Sequence, residues 1–369
     1  IDRPILSPIN LPGGMRVVAL TVSFIAEHVP PFGHVTYRVV PVSRGTSGSI
    51  VVPTDAPIDP RDPAGEPRDG TGKTVTLDNG LLSVAVHGDG RIDIAEQQSG
   101  RTWENALTLI DEEDAGDAYV HRYGAREEIE LTGTVRRVRV TRDDAHVRTV
   151  EIDFAPDLPI HFDLETEHRA VEKVTQPITL RLELRAREAF LRCSVLLENR
   201  IRDHRLRAIV RTGAVSPLTR AATPFDIVER DLREVRPKVR KGDHPFSGMV
   251  AHADDAGGAT VLTTGLYEYE HRSADPGELA ITLMRGNGYV FKFNDKPEPP
   301  NVLWRVPENQ CLRPVEVEFA LAPLSGAFDR TDALRLLDRY RTPLVCAFHA
   351  VDPKKFSGGR PGVQETDIQ

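Results

Sequence analysis

Residues 198–213, ENRIRDHRLRAIVRTG, hold five arginines and one histidine directly after the strand-like run FLRCSVLLENR. A guanidinium is a planar fork of donors that suits carboxylates. Arg200, Arg202, Arg205 and Arg207 are spaced as polar partners on a strand whose apolar positions are Ile201, Leu206 and Ile209, with Glu198 and Asp203 at hand as counter-ions. Pairing inside the molecule is the plain reading of this stripe. A second concentration, DEEDAGDAYVHRYG, groups Asp111, Glu112, Glu113, Asp114, Asp117 and Tyr119 around Gly116. Carboxylates in a loop accept hydrogen bonds from sugar hydroxyls or hold calcium; the spacing is not that of an EF-hand, and a solvated turn gives the same composition.

A third stretch, HFDLETEH, would put His161, Asp163, Glu165 and Glu167 on one strand face, a ligand set for zinc or manganese. The solvated face of an ordinary strand has the same alternation, and no metal site is assigned. In GLYEYE, the alternation of Tyr267, Glu268, Tyr269 and Glu270 reads as a half-buried aromatic pair with two solvated carboxylates. Trp103 and Trp304 read as core. There is no Gly-x-Ser-x-Gly elbow, phosphate loop, dinucleotide fingerprint or His-Glu-x-x-His helix.

The elements that position these groups are strands almost throughout. TVTLDNGLLSVAVHGDGRIDIAEQQSGRTW places Val75 and Leu77, then Leu82, Val84 and Val86, then Ile92 and Ile94 at period two, with turns at Asn79-Gly80 and Gly88-Asp89-Gly90, and predicts a three-stranded meander. TVRRVRVTRDDAHVRTVEIDF turns at Asp143-Asp144, and ITLRLELRAREAFLRCSVLLENR sets Ile178, Leu180, Leu182 and Leu184 before Leu191, Cys193, Val195 and Leu197. DRTDALRLLDRYRTP predicts a helix with Leu334, Leu337 and Tyr340 on one face and Pro343 beyond its end. The fold expected is all-β, a large antiparallel sandwich with a small accessory β unit and one short C-terminal helix. The expected domains are a small β unit at 1–45, a Pro/Gly-rich linker or loop at 46–73, the sandwich region at 74–350 and a tail at 351–369.

Composition narrows the partners. A length of 369 residues allows a large buried core, and the net charge of -8 argues against a generic nucleic-acid or acidic-membrane binder. Cys193, Cys311 and Cys346 are odd in number and far apart, which suggests neither a disulfide framework nor a zinc knuckle and suits a reducing, cytoplasmic setting. No apolar run is long enough for a transmembrane helix, and the first residues lack signal-peptide order. The chain begins at Ile1, so a fragment or processed product of something longer is expected.

Taken in order, LDNGLLSVAVHGDGRIDIAEQQSGRTW, DEEDAGDAYV, LLENRIRDHRLRAIVRTG, ATPFDIVER, FSGMVAHADDAGGATVLTTGLYEYE, ELAITLMRGNG, PENQCLRPVEVEFALAP and YRTPLVCAF resemble the C-terminal half of glycoside hydrolase family 38, the α-mannosidase and mannosylglycerate-hydrolase family, in its bacterial form. HVPPFGHVTYRVVP is similar to the strand preceding the family's large β domain, and the match runs from about Val29 to about Phe348. The resemblance implies a galactose-mutarotase-like supersandwich. It also implies that the catalytic zinc, its His and Asp ligands and the nucleophile belong to an N-terminal domain whose His-x-Asp and His-His-Asp motifs have no counterpart here. Retaining hydrolysis needs two carboxyl groups about 5 Å apart, and neither role falls on a residue of this chain.

What the resemblance leaves here is a substrate rim and a polar network. The segment similar to DAGDAY lies near bound sugar in the family, which makes Asp114, Asp117 and Tyr119 the substrate-side candidates. Asn199, Arg200, Asp203, His204, Arg205 and Arg207 match the family pattern and imply an arginine–carboxylate network, locking two sheets together or facing the catalytic domain. The partners implied are that catalytic domain and a mannoside. A free-standing carbohydrate-binding protein using the same loop, and a scaffold that forms a homo-oligomer, are the competing readings.

Overall fold

The computed structural model describes residues 24–26, 29–30, 33–39, 68–163, 166–233, 243–290, 305–345 and 365–368. Glu165, Trp304 and Cys346 lie outside the described residues. The chain divides into two compact units, one of Ala64–Pro343 and the other of Ile1–Pro63 with Leu344–Gln369. In the latter, Thr36–Val39 pairs in parallel with Glu365–Ile368.

Among its described residues, the unit Ala64–Pro343 is all-β and antiparallel apart from one helix and a short 3₁₀ turn, Pro307–Gln310. Its largest sheet has ten strands, with Gly257–Thr263, Pro314–Leu324, Leu191–Glu198, Ile178–Arg185 and Val147–Phe154 side by side in its middle. The hairpin read from sequence forms as expected, with Leu182 opposite Cys193. The meander gains a fourth short strand: Val75–Asp78, Leu82–Val86, Ile92–Glu96 and Thr102–Trp103. Gly80 and Gly90 take positive φ at its turns, a conformation that costs glycine little. A six-stranded sheet runs Asp243–Pro245, Glu268–Ala274, Gly277–Gly286, His204–Arg211, Leu107–Glu113 and Glu128–Glu130.

One apolar cluster joins the three sheets. It takes Leu180, Leu182, Val195 and Phe319 from the large sheet, Leu206, Ala208, Val210 and Leu279 from the six-stranded one, and Leu77, Val84 and Ile94 from the meander. Period-two alternation thus buries one face of each sheet. Trp103 is core as expected, its Nε1 donating to the Thr212 carbonyl at 2.8 Å. The helix is Arg330–Arg341, capped by the Asp329 carboxylate on the Asp332 amide. It buries Ala333, Leu337 and Tyr340, at i, i+4 and i+7, so Leu334 is 40% exposed and not part of the apolar stripe read from sequence.

Between the sheets the seam becomes polar. The rings of His252 and His271 lie 4.6 Å apart, with His252 Nδ1 2.6 Å from Thr212 Oγ1. Gly277 leaves room for this, since a Cβ there would lie 2.1 Å from His252 Cε1. Burial first, then the neighbouring His252, pushes His271 down to about 4; His244 acts in the same sense and Asp231 against it. A folded-state value below the unfolded one means that the unfolded chain takes up the proton first, so stability present above pH 6.5 is lost as pH falls towards 4. The loss from His271 is on the order of 3 kcal/mol. Urea unfolding between pH 7 and 4 should show this slope, shallower in His271→Gln; equal slopes would refute the assignment.

Candidate functional site

The strand His204–Arg211 lies inside the six-stranded sheet, between Leu107–Glu113 and Gly277–Gly286. Leu206, Ala208 and Val210 face the core, so alternation sends Arg205, Arg207 and Ile209 to the other face. Both arginines are nevertheless 0% exposed. An isolated charge in such a place is prohibitively costly, so the neighbours must supply carboxylates.

They come from several elements. Arg205 donates through Nε to Glu112, and through Nη1 to Asp243 at 3.0 Å and Glu268 at 3.3 Å. Arg207 donates to Glu270 at 2.5 Å and to Glu112 at 3.0 Å; its Nε lies 2.9 Å from Glu112 Oε1 without hydrogen-bond alignment. The Tyr123 hydroxyl accepts from both guanidiniums, at 3.3 and 3.2 Å. Burial pushes this hydroxyl up to about 12, keeping it protonated. Burial also raises the Glu112 carboxyl, against the pull of Arg205 and Arg207.

A second buried group continues from the same strand. His204 Nδ1 lies 2.6 Å from Asp111 Oδ2 and its Nε2 lies 3.0 Å from Asn199 Oδ1. Arg169 also binds Asp111. Burial opposes ionisation of Asp111, but His204 and Arg169 hold its pKa below the ordinary carboxylate value. The Asp203 amide donates to Gln310 Oε1 at 2.9 Å, and its carboxylate accepts from Gln310 Nε2 at 2.8 Å. Arg200 stays outside: its guanidinium meets Glu198 at the surface. The expected network therefore brings together His204 with Asn199 and Arg205 with Arg207.

Asp111, Glu112 and Glu113 belong to a strand buried along its whole length, not to an acidic turn. Glu268 and Glu270 are likewise ion-pair partners, not solvated carboxylates, and Tyr269 is buried while Tyr267 is exposed. The loop proper begins at Asp114. Its carboxylate accepts from the Gly116 amide at 2.9 Å and from Arg285 Nε at 2.8 Å. Asp117 Oδ1 accepts from the Tyr119 and Val120 amides at 2.9 and 3.0 Å, and Arg285 Nη2 donates to the Asp117 carbonyl. The turn is tight enough that a Cβ on Gly116 would lie 1.9 Å from the Val120 carbonyl oxygen. Tyr119, 68% exposed, projects from this clamped turn.

The carboxylates and histidines that zinc would require do not fit it here. Asp111 is held by Arg169 and His204, Glu112 by two arginines, and Glu113 by the Gly124, Arg126 and Glu127 amides. Asp163 sits opposite His168 in a short strand pair, and no three His, Cys, Asp or Glu among the described residues form a metal-ligating group.

The geometry is that of an antiparallel β-sandwich domain with a buried ionic network and a clamped loop that carries an exposed tyrosine. The chain belongs to the Glycosyl hydrolases family 38 C-terminal domain, whose sequence profile matches residues 77–297. "Putative mannosylglycerate hydrolase" of Halalkalibacterium halodurans is 27% identical over 272 residues, covering 68% of this chain and 29% of that protein. An alpha-mannosidase from Enterococcus faecalis superposes with a TM-score of 0.66 at 21% identity, over 76% of this chain and 32% of the other. A second family 38 structure from the same species gives 0.64 at 22% identity, over 76% and 33%. The chain thus spans about a third or less of the length of these relatives.

Removing either buried arginine takes one of two counter-ions from the buried Glu112 and unpairs carboxylates on the neighbouring strands. Arg205→Met should lower the unfolding free energy by about 3–5 kcal/mol, with Arg205→Lys recovering part of it because an ammonium cannot reproduce the fork. Urea denaturation checks this; a loss under about 1 kcal/mol would show that the pairs act as exposed ones.

Proposed function

We propose that this chain is the non-catalytic β-sandwich part of an α-mannoside hydrolase, supporting a zinc-dependent catalytic domain that its 369 residues do not supply. The loop Asp114–Tyr119 contributes to the substrate rim. The family membership and the names of the relatives, one an alpha-mannosidase and one a "Putative mannosylglycerate hydrolase", support the glycoside class.

The observation that carries the rim assignment is the division of labour in the loop. Asp114 and Asp117 give hydrogen-bond capacity to holding the turn, and Arg285 ties it to the strand Gly277–Gly286. Tyr119 is left projecting. A rigidly presented phenol offers a ring for a sugar face and a hydroxyl for its edge, at small entropic cost on binding. The buried arginine network serves this arrangement by fixing the strands on which the loop is mounted. On the same reading, the protein works in a reducing, cytoplasmic setting; among the described residues no helix is long and apolar enough to cross a membrane.

The test is hydrolysis of an aryl α-mannoside with added zinc or cobalt, comparing this chain alone with the chain joined to its upstream coding sequence. Activity confined to the longer protein is the expected result; turnover by this chain alone overturns the reading. Within the longer protein, Tyr119→Ala should lower kcat/KM about tenfold, or about 1.4 kcal/mol of transition-state stabilisation, with the unfolding midpoint unchanged. An unchanged kcat/KM removes the loop from the rim.

A further inference from the structure

The outer face of the meander carries a hydrogen-bonded chain of side chains apart from the rim loop and the buried networks. Val84, Val86, Ile92 and Ile94 belong to the core, so alternation sends His87 and Asp93 to the opposite face. Val75 pairs with Val86 and Ala85 with Asp93, which sets Thr74, one residue before its strand, across from His87. Thr74 Oγ1 lies 3.3 Å from His87 Nδ1, and His87 Nε2 lies 2.7 Å from Asp93 Oδ2. Thr74 is exposed, and the side chains of His87 and Asp93 are each 26% exposed.

Each end of this chain is fixed by backbone. Asp93 Oδ1 accepts from the Asn105 amide at 2.7 Å. Burial opposes ionisation of Asp93, but the Asn105 amide and His87 hold its pKa below the ordinary carboxylate value. On the other side the Lys73 amide donates to the Gly70 carbonyl at 3.0 Å, and a Cβ on Gly88 would lie 2.8 Å from Gly72 Cα. The turn before Thr74 is therefore packed on the turn after His87. An ionised carboxylate only accepts, so the neutral His87 ring carries its proton on Nε2 and presents the Nδ1 lone pair to the hydroxyl. His204 and His252 also have two partners each, but both rings are buried, closed to any reactant.

We propose that Thr74, His87 and Asp93 form an acyl-acceptor site in which Thr74 takes an acyl group from an activated ester. A hydroxyl is a weak nucleophile until an adjacent base removes its proton, and a base works best when a third group fixes its tautomer. Here His87 is the base and Asp93 the positioning residue. Thr74 Oγ1 attacks the acyl carbon; the bond from oxygen to that carbon forms as the bond to the leaving phenolate oxygen breaks. The hydroxyl proton passes to His87 Nδ1 and then to the leaving oxygen, so that phenol departs, Thr74 holds the acyl ester and His87 returns to its starting form.

The test is incubation of the 369-residue chain with p-nitrophenyl acetate, followed by peptide mass mapping. The expected product is an acetyl ester on Thr74, cleaved by hydroxylamine and absent in Thr74→Val; because Thr74 is exposed, the unfolding midpoint of that variant should not move. His87→Gln should slow ester formation about a hundredfold, the usual contribution of a general base. Asp93→Asn keeps an oxygen for the Asn105 amide, but its NH2 donates to Nε2 and places the ring proton on Nδ1, so the same loss is expected in a chain that still folds. Denaturing urea should abolish the reaction at Thr74 and leave lysine acetylation in place. Acetylation confined to lysines such as Lys73, an unchanged rate at Thr74 in His87→Gln or Asp93→Asn, or ester formation undiminished in urea overturns the site.

Discussion

Two guanidinium groups with no solvent contact, Arg205 and Arg207, impose the constraint around which the six-stranded sheet is organised. Taking a charge out of water costs several kcal/mol even after relaxation, and the cost is recovered only where partners arrive with good geometry. Here they arrive from Leu107–Glu113 on one side, from Glu268–Ala274 across an intervening strand, and from Asp243–Pro245 at the sheet edge. A one-residue slip of any of these strands would send its carboxylate to the core face and strand a buried charge. The network therefore specifies register more sharply than apolar packing alone.

The same constraint accounts for the segment after the acidic strand. Glu113 takes three backbone amides from Gly124, Arg126 and Glu127, which folds the chain back so that the Tyr123 hydroxyl reaches both arginines. His121 packs edge-on against Tyr123, with its Nε2 3.0 Å from the Glu113 carbonyl. Between the fixed ends of this return lies the turn that carries Tyr119. Its exposure is thus a consequence of what its neighbours must do.

Much of the β architecture was legible because one face of most strands is apolar and the other polar. Ile178, Leu180, Leu182 and Leu184 alternate with Thr179, Arg181, Glu183 and Arg185, and the burial alternates with them. The strand Leu107–Glu113 broke that rule: it is buried on both sides, so its three carboxylates carry no alternation and read as a loop. The pairing of Glu268 and Glu270 with the arginines was hidden for another reason. It joins residues 63 positions apart, and no local pattern encodes which carboxylate meets which cation. The helix shows the reverse case: its limits were set by Asp329 and the residues beyond, but the choice of Ala333 over Leu334 for the buried stripe depends on what the helix packs against.

The described arginines of this chain thus fall into two physical states. Where a guanidinium is enclosed, its partners are internal and its charge is a statement about strand register, as with Arg205 and Arg169. Where a guanidinium stays at the surface, as with Arg200 beside Glu198, solvent screens its charge and the pairing says little about register. Arg202 and Arg205 are three residues apart in one arginine-rich stretch, so composition cannot separate the two states. The separating event is structural: Asp203, between them, takes a positive φ and turns the chain from the surface into the sheet. That single turn divides a run of like charges into one part that holds the sandwich together and another that stays at the surface.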